Sequence, residues 1–467
     1  MEGKYVKELG EGNITMLMFK YSVPTIFATI INAAYNIVDR IFVGRACGED
    51  AIAAITVCFS PTLLLLAVGM TIGVGTATIT SIKLGQKKYD DAEKVLGQAF
   101  FLFAVFCILV ALYMLNFMPQ TLMFLGATER ILPDAVGYYS IIICGLIFEK
   151  ISFGINNVIR AEGRPVYAMT TLLIGGITNV VLDYIFIFKL KMGVRGAALA
   201  TIMAQACGTL WVLWFYFGGK SFLKLRLRNF RIFMPLLKSM LSAGSPSFVI
   251  QFLTGLAVMV FVQQARNYGS ESALAIIGVN TAVITFMFLP IVGISMGIQP
   301  IVGYNWGLQN YLRVKGAYLN AILAGAIVSA IGFFLCQFGA RLVFDIFLGA
   351  DSHIAEDGVY SFRIVTAAFA FISLNIITSG YFQSTKRPIF SIFITVLRQV
   401  VLLMPLLVFL PKYFGITGVW LSYPISDFVA FVFSAFIAVR EFRRINKRCD
   451  RQKRLFGDMF ERYFKKA

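Results

Sequence analysis

The sequence predicts an all-α integral membrane protein in which twelve transmembrane helices form two parallel six-helix repeats around a central cavity. Three observations lead to this fold: an apolar composition, the recurrence of membrane-length segments, and an internal repeat. Hydrophobic residues make up 58% of the 467 residues and charged residues only 14%. A soluble domain carries roughly 25% charged residues. The composition therefore excludes a water-soluble protein, and no hydrophilic block is long enough for a soluble catalytic domain.

Twelve segments are long and apolar enough to cross a bilayer, which takes about 20 residues of helix. The first six, numbered here spans 1 to 6, lie near residues 17–42, 51–82, 95–115, 137–157, 166–190 and 194–218. Spans 7 to 12 lie near residues 236–264, 273–303, 316–339, 359–382, 389–411 and 418–440.

Positive charge is concentrated on one side of these spans. The chain has a formal net charge of +18, and 31 of its 42 Lys and Arg residues fall on the side of the N-terminus, against ten on the other side. This asymmetry predicts that both termini are cytoplasmic. It also accounts for the charge without a nucleic-acid partner. The basic stretches are instead expected to meet anionic lipid headgroups, although a regulatory role for the tail stays open.

The two halves of the sequence match each other at an offset of 222 residues. The matched residues include Pro24 and Pro246, Gly75 and Gly297, Gly85 and Gly307, and Gly193 and Gly415. Six helices per copy keep both copies in the same orientation, so the repeats are parallel. We therefore expect an N-terminal lobe over residues 1–218, a basic linker over 219–235, a C-terminal lobe over 236–440 and a basic tail over 441–467.

Five motifs resemble signatures of the MATE family of multidrug transporters. They are residues 36–44 (NIVDRIFVG), 160–165 (RAEGRP), 179–183 (NVVLD), 193–201 (GVRGAALAT) and 299–307 (QPIVGYNWG). The pattern looks closest to the bacterial DinF-like branch with its MepA-like members. The resemblance implies a MATE/MOP-type antiporter of the bacterial cytoplasmic membrane that exports cationic or amphipathic drugs in exchange for Na⁺ or H⁺. It also implies rocker-switch alternating access, no cofactor and no enzymatic activity. We expect a monomer, because two halves already form a cavity.

Two carboxylates inside the spans are candidates for ion coupling, because each costs about 3 kcal/mol in the bilayer even on lenient scales. Asp39 lies near the outer end of span 1, and Asp183 lies in the outer half of span 5. Asn179 is one turn before Asp183 on the same helix face, and Thr201 lies in early span 6. The resemblance implies that these four residues couple the cation. Their oxygens would suit Na⁺, and a buried carboxylate could equally carry a proton.

Other residues are weaker candidates for lining the cavity. Tyr35 and Asn36 lie about one turn before the carboxylate of span 1, and Asn156 in span 4 could extend the polar network. Met287 and Met296 are candidates because methionine adapts to varied ligands.

The second half carries its own buried charges, Arg398 in span 11 and Asp427 in span 12. Both lie near mid-span and could pair, and we favour a structural role for them over substrate binding. A structural role also stays open for the carboxylates of the first half. Asp183 could pin helices by hydrogen bonds, and Asp39 could be neutralised by Arg40.

Three other classes of protein fit the hydropathy less well. A lipid-linked sugar flippase of the same superfamily is the alternative, but it would need several basic residues in the spans to bind pyrophosphate, and Arg398 is the strongest one. An intramembrane enzyme would need an acidic cluster or a catalytic histidine, and the single histidine, His353, is predicted to lie in a loop. A channel would show a repeated filter sequence, and none is present.

Overall fold

The computed structural model describes residues 4–269, 271–348 and 353–464, and nearly all of them are helical. Three residues at each end of the chain, at the limits of the predicted lobe 1–218 and tail 441–467, lie outside the described residues. A short N-terminal helix, Lys4–Glu11, precedes the spans. Spans 1 to 6 are Ile14–Cys47, Glu49–Gly85, Tyr89–Phe124, Leu132–Ala161, Pro165–Lys189 and Gly193–Phe217. Spans 7 to 10 are Met234–Tyr268, Glu271–Gly307, Tyr311–Leu348 and the pair His353–Val365 and Phe369–Ser384, followed by span 11 over residues 388–409 and span 12 in Pro411–Phe464.

The number of membrane crossings agrees with the prediction. In the part of the chain that the structure describes, ten helices are long and apolar enough to span, and the two segments of span 10, bent by 47°, make an eleventh. Spans 11 and 12 count as one of these ten, but Gly415 between them has a φ of 57°, which is not helical. Dividing the chain at this glycine gives twelve crossings and confirms the predicted all-α fold.

The backbone repeats itself in the two halves at the turns between helices. Positive φ angles occur at matched positions: Lys87 and Gln309, Gly163 and Lys386, and Gly193 and Gly415. The first and third pairs are 222 residues apart, and the second pair is 223 apart, as are the prolines that begin spans 5 and 11. Because a positive φ is uncommon outside glycine, three matched pairs indicate that the two halves turn in the same way.

The two halves meet closely at one end of the molecule. Gly85, at the end of span 2, lies against the carbonyl of Tyr304, and its repeat partner Gly307, at the end of span 8, lies against the carbonyl of Ile82. The absence of a side chain at both positions lets the helices approach to backbone contact. The contact is reciprocal, as expected for a pseudo-twofold axis between parallel repeats.

Polar contacts join the halves at the same end. Asn305 Nδ2 donates to the Leu9 carbonyl at 2.9 Å, and Arg313 Nη2 donates to the Gly12 carbonyl at 2.6 Å. Among the described residues, every side-chain hydrogen bond between the two lobes lies at this end. At the far half of span 1, by contrast, each residue from Thr29 to Phe42 is at least partly exposed. The molecule is therefore closed at the end that carries the N-terminus and open at the opposite end.

Hydrophobic packing follows the same division. The largest cluster of buried apolar residues crosses both halves at the closed end and includes Ile79, Phe103, Ile298 and Tyr318. Two smaller clusters, around Phe344 and around Tyr139, each belong to one half. Toward the open end, each half is thus packed as a unit of its own.

The basic linker is fastened to the first half by two glutamates. The Glu162 carboxylate accepts hydrogen bonds from Ser221 Oγ at 2.6 Å and from the Phe222 amide at 2.9 Å. The Glu93 carboxylate pairs with Arg226 Nε at 3.0 Å. Burial raises the pKa of Glu162 from its usual value of 4.5 to about 7, since desolvation disfavours the charged form.

The beginning of the predicted tail is also held in place. The helix of span 12 continues beyond residue 440, and Ile445 on it is buried. Arg387, in the turn before span 11, forms an ion pair with Glu441, and the Arg448 guanidinium lies 4.9 Å from the centroid of the Trp306 ring. This part of the tail therefore packs against the second half at the closed end.

Candidate functional site

The two candidate carboxylates of the first half face each other. Spans 1 and 5 pack together, and the Asp39 and Asp183 carboxyl groups come within hydrogen-bonding reach of each other. Asp183 is fully buried, whereas Asp39 keeps part of its surface exposed. Two ionised carboxylates have no donor to share. A proton on one of them, or a cation between them, would stabilise this arrangement.

The oxygens around this pair lack protein partners. Asp39 Oδ1, both carboxylate oxygens of Asp183 and Asn179 Oδ1 are buried without a hydrogen bond. Leaving one such acceptor unsatisfied costs about 1–3 kcal/mol, so a proton or a cation bound among these oxygens would be stabilised. The Asn179 amide is oriented by Thr201, since Nδ2 donates to Thr201 Oγ1 at 3.5 Å. This orientation leaves the amide oxygen, like the carboxylates, available to a cation.

An irregular helical turn adjoins the site. The π-helical segment Tyr184–Lys189 begins immediately after Asp183, and a second one, Lys150–Ile155, precedes Asn156 in span 4. Such segments are rare and often occur at functional sites because they rotate neighbouring side chains out of the regular helical order. The apolar periodicity of the sequence does not reveal them.

Two neighbours bear on the charge of the pair. The Arg40 guanidinium is exposed and lies over the Phe59 ring, 5.0 Å from its centroid. Arg40 lies within electrostatic range of Asp39, but no ion pair joins the two side chains among the described residues. Tyr138 of span 4 lies close enough to interact electrostatically with both carboxyl groups, and the sequence analysis missed this residue.

The remaining candidates of the first half differ in their positions. Tyr35 is partly buried beside the carboxyl pair. Asn36 is exposed, and its amide donates back to the Asn32 carbonyl of its own helix. Asn156 is buried and ties span 4 to span 5, because its Nδ2 donates to the Ala168 carbonyl at 3.0 Å. The structure thus brings Tyr35 to the site, whereas the amide groups of Asn36 and Asn156 serve helix contacts.

The candidates of the second half lie on other spans. Met287 and Met296 are partly buried on span 8, and Met287 packs against the apolar cluster that includes Phe369. Arg398 Nε donates to Asp427 Oδ1 at 2.5 Å, and the Asp427 side chain is only 3% exposed. The second half therefore holds its own ion pair, formed between spans 11 and 12.

A further ion pair, inside span 4, was not predicted from the sequence. Lys150 lies inside the helix Leu132–Ala161 with a side chain that is 3% exposed. Its Nζ is 2.8 Å from Glu149 Oε1. The adjacent acid and base inside an apolar segment were the signal that could have revealed the pair.

Comparison with known proteins gives one family and a consistent fold. The MatE family profile matches residues 24–185 and 246–409, and the two matched regions begin 222 residues apart. The chain is 25% identical to the multidrug export protein MepA of Staphylococcus haemolyticus (strain JCSC1435) over 430 residues, which cover 91% of this chain and 94% of that protein. The MepA protein of Staphylococcus aureus (strain MRSA252) is 24% identical over 413 residues, or 88% and 90% of the two chains.

Solved structures agree with this fold. An outward-facing multidrug resistance MATE family transporter of the MOP superfamily superposes with a TM-score of 0.89 at 23% identity, over 95% of this chain and 99% of that one. A MOP superfamily transporter from Pyrococcus furiosus gives the same TM-score, identity and coverage.

Proposed function

Because this chain belongs to the MatE family, we propose that it exports cationic or amphipathic organic compounds in exchange for Na⁺ or H⁺. One observation carries the proposal: two carboxyl groups, Asp39 and Asp183, meet between spans 1 and 5 with buried oxygens that no protein group satisfies. The relatives named as multidrug export proteins support the class of substrate.

Competition for negative charge links the two transported species. A proton or Na⁺ bound between the carboxyl groups cancels the charge that attracts an organic cation into the same half. A bound organic cation in turn weakens the attraction for the coupling ion. Since each ligand lowers the affinity for the other by the same factor, loading one from outside favours release of the other.

Alternating access is supported by the way the halves pack. At the closed end the two halves are in backbone contact at glycines, and toward the open end each half has its own cluster of buried apolar residues. A rocking motion that opens the first end and closes the second would leave each unit intact, as in other transporters built from two parallel repeats. The coupling ion would bias this motion through its contacts with spans 1 and 5.

The orientation in the membrane follows from charge. The closed end carries the basic linker and the start of the basic tail, which are expected to face the cytoplasm. We therefore propose a protein of the bacterial cytoplasmic membrane, acting as a monomer, with both termini inside and the present state open to the outside. Anionic lipids of the inner leaflet would contact the basic residues that remain unpaired.

The flippase alternative loses support from the buried charges. Pyrophosphate recognition needs cations that are free to bind it. Lys150 is paired with Glu149, and Arg398 is paired with Asp427. These two basic side chains are therefore already neutralised, and the buried Arg160 at the end of span 4 donates to Asn157 Oδ1.

The test is efflux from liposomes. Purified protein would be reconstituted, and ethidium movement would be followed under Na⁺ and H⁺ gradients imposed separately. The Asp183→Asn variant should lose gradient-driven efflux by about tenfold or more, the size of a coupling free energy above about 1.4 kcal/mol. Asp134→Asn is the matched control, since Asp134 is an exposed acid outside the site.

Either of two results would refute the proposal. Wild-type protein that ignores both gradients is not a cation-coupled exporter of this substrate class. Normal pumping by Asp183→Asn would remove the carboxyl pair as the coupling site.

A further inference from the structure

The ion pair between Glu149 and Lys150 is formed by adjacent residues of span 4. Neighbours on a regular helix point about 100° apart, and their side chains normally diverge. Here the π-helical segment begins at Lys150, and its Nζ turns back to Glu149 Oε1 at 2.8 Å. The pair is unequal in exposure, because the lysine side chain is 3% exposed and the glutamate side chain 19%.

A glycine on span 2 makes room for the lysine. A Cβ atom at Gly69 would lie 3.0 Å from Lys150 Cδ and 3.3 Å from its Nζ. The Lys150 side chain thus packs between spans 2 and 4, where any side chain at position 69 would contact it closely. The glutamate carboxylate lies on the more accessible side of the pair.

Tyr35 connects this pair with the carboxyl pair described above. The Tyr35 hydroxyl lies within electrostatic range of both Glu149 and Asp39. Gly176 of span 5 borders the same ring, since a Cβ there would lie 3.5 Å from Tyr35 Cδ1. The Glu149–Lys150 pair therefore belongs to the interior of the first half, one side chain away from the candidate ion site.

We propose that Glu149 binds the positive charge of an organic monocation, and that Lys150 fills this position when no substrate is bound. The inference rests on the proposed function and specifies its substrate-binding group. Lysine suits the role because its ammonium is a compact charge on a flexible stem. The aromatic face of Tyr35 would add to the attraction for a cation.

In an exchanger, a lysine in this position would keep the substrate-binding carboxylate paired when no substrate is bound. A buried carboxylate without a partner is strongly destabilising. With Lys150 in place, the empty transporter can change conformation without burying a bare charge on Glu149. An arriving cation displaces the ammonium, so Lys150 weakens substrate binding, but the Glu149 carboxylate keeps a cationic partner in both states.

The proposal predicts opposite effects for the two members of the pair. Binding of tetraphenylphosphonium to the purified full-length protein would be measured by isothermal titration calorimetry. Lys150→Met removes the competitor and should tighten binding about tenfold, whereas Glu149→Gln should weaken it by about tenfold or more. The matched control is Asp50→Asn, which breaks the exposed Asp50–Arg130 pair in the same half and should leave the affinity unchanged.

A purely structural pair predicts a different pattern. Both single variants would then lower the unfolding temperature and weaken binding together. Unchanged or weaker binding in Lys150→Met, or wild-type affinity in Glu149→Gln, overturns the proposal. Lys150→Gln replaces Lys150→Met if the latter does not fold. If neither folds, the neutral double variant Glu149→Gln/Lys150→Met decides: weak binding by folded protein supports the proposal, and wild-type affinity overturns it.

The same probe separates this inference from the proposed function. If wild-type protein binds and exports tetraphenylphosphonium but the variants bind it equally well, only the role of Glu149 and Lys150 fails. If wild-type protein neither binds the cation nor exports it under either gradient, the proposed function fails with it.

Discussion

Replacing Gly307 by alanine should separate the two halves at their closed end. The new Cβ would collide with the Ile82 carbonyl oxygen on span 2, and a backbone atom in a helix cannot turn aside. Overpacking of this kind costs about 1–3 kcal/mol. In a state with this end open the helices are apart and the cost disappears. Since 1.4 kcal/mol is a factor of ten, the ratio of the two states should shift about 5- to 140-fold.

The shift can be read from thiol labelling. Ser22 of span 1 is 4% exposed at the closed end, where it borders Gly297. A Ser22→Cys reporter should react faster with a water-soluble maleimide in detergent when Gly307→Ala is added. Labelling of Gly307→Ala protein that lacks the Ser22→Cys reporter would be subtracted, because native cysteines also react. Gly85→Ala, the repeat-related change, should have the same effect because its Cβ would meet the Tyr304 carbonyl.

The matched control is Gly255→Ala on span 7. No heavy atom lies within 4 Å of a Cβ placed at Gly255, so labelling of the reporter should not change. If Gly307→Ala labels no faster than Gly255→Ala in protein that remains folded, the close backbone contact at Gly307 does not hold this end closed.

Two further predictions concern buried acids at the closed end. Because the folded-state pKa of Glu162 is raised from 4.5 to about 7, the folded chain holds an extra proton between these pH values and loses stability as pH rises through them. The unfolding temperature of Glu162→Gln in detergent should not show this decline. If the unfolding temperatures of the variant and the wild type fall in parallel with pH, burial of Glu162 is not the cause. Glu441→Gln leaves the Arg387 guanidinium without its partner and should lower the free energy of unfolding by about 3–5 kcal/mol. The double variant Glu441→Gln/Arg387→Met should recover part of the lost free energy of unfolding. If it does not, the cost does not come from the unpaired Arg387 guanidinium.

Much of the fold could be predicted because it depends on local properties of the chain. Helix length and apolar content decide whether a segment can cross a bilayer, and twelve segments met that condition. The repeat predicted equivalent turns, and the backbone shows them at Gly193 and Gly415, both with positive φ. The orientation of the termini stays a prediction from the charge bias.

The candidate site could be predicted only in part. Asp39 and Asp183 stand out in the sequence because carboxylates in apolar spans are costly. The rotation of spans 1 and 5 against each other decides that the two carboxyl groups meet. It also decides that Asn179 Oδ1 is buried without a hydrogen bond. Lys150 lies within predicted span 4, but the burial of its side chain and its pairing with Glu149 depend on three-dimensional packing.

The class of fold, the number of helices, the duplication and the two costly intramembrane acids follow from local properties of the chain. Which end is closed, which carboxyl groups share a site and which lysine is buried depend on how the helices pack. Hydropathy describes each helix separately, whereas contact depends on the rotation of each helix about its own axis. Three π-helical segments, Lys150–Ile155, Tyr184–Lys189 and Leu397–Leu403, alter that rotation where the polar groups lie.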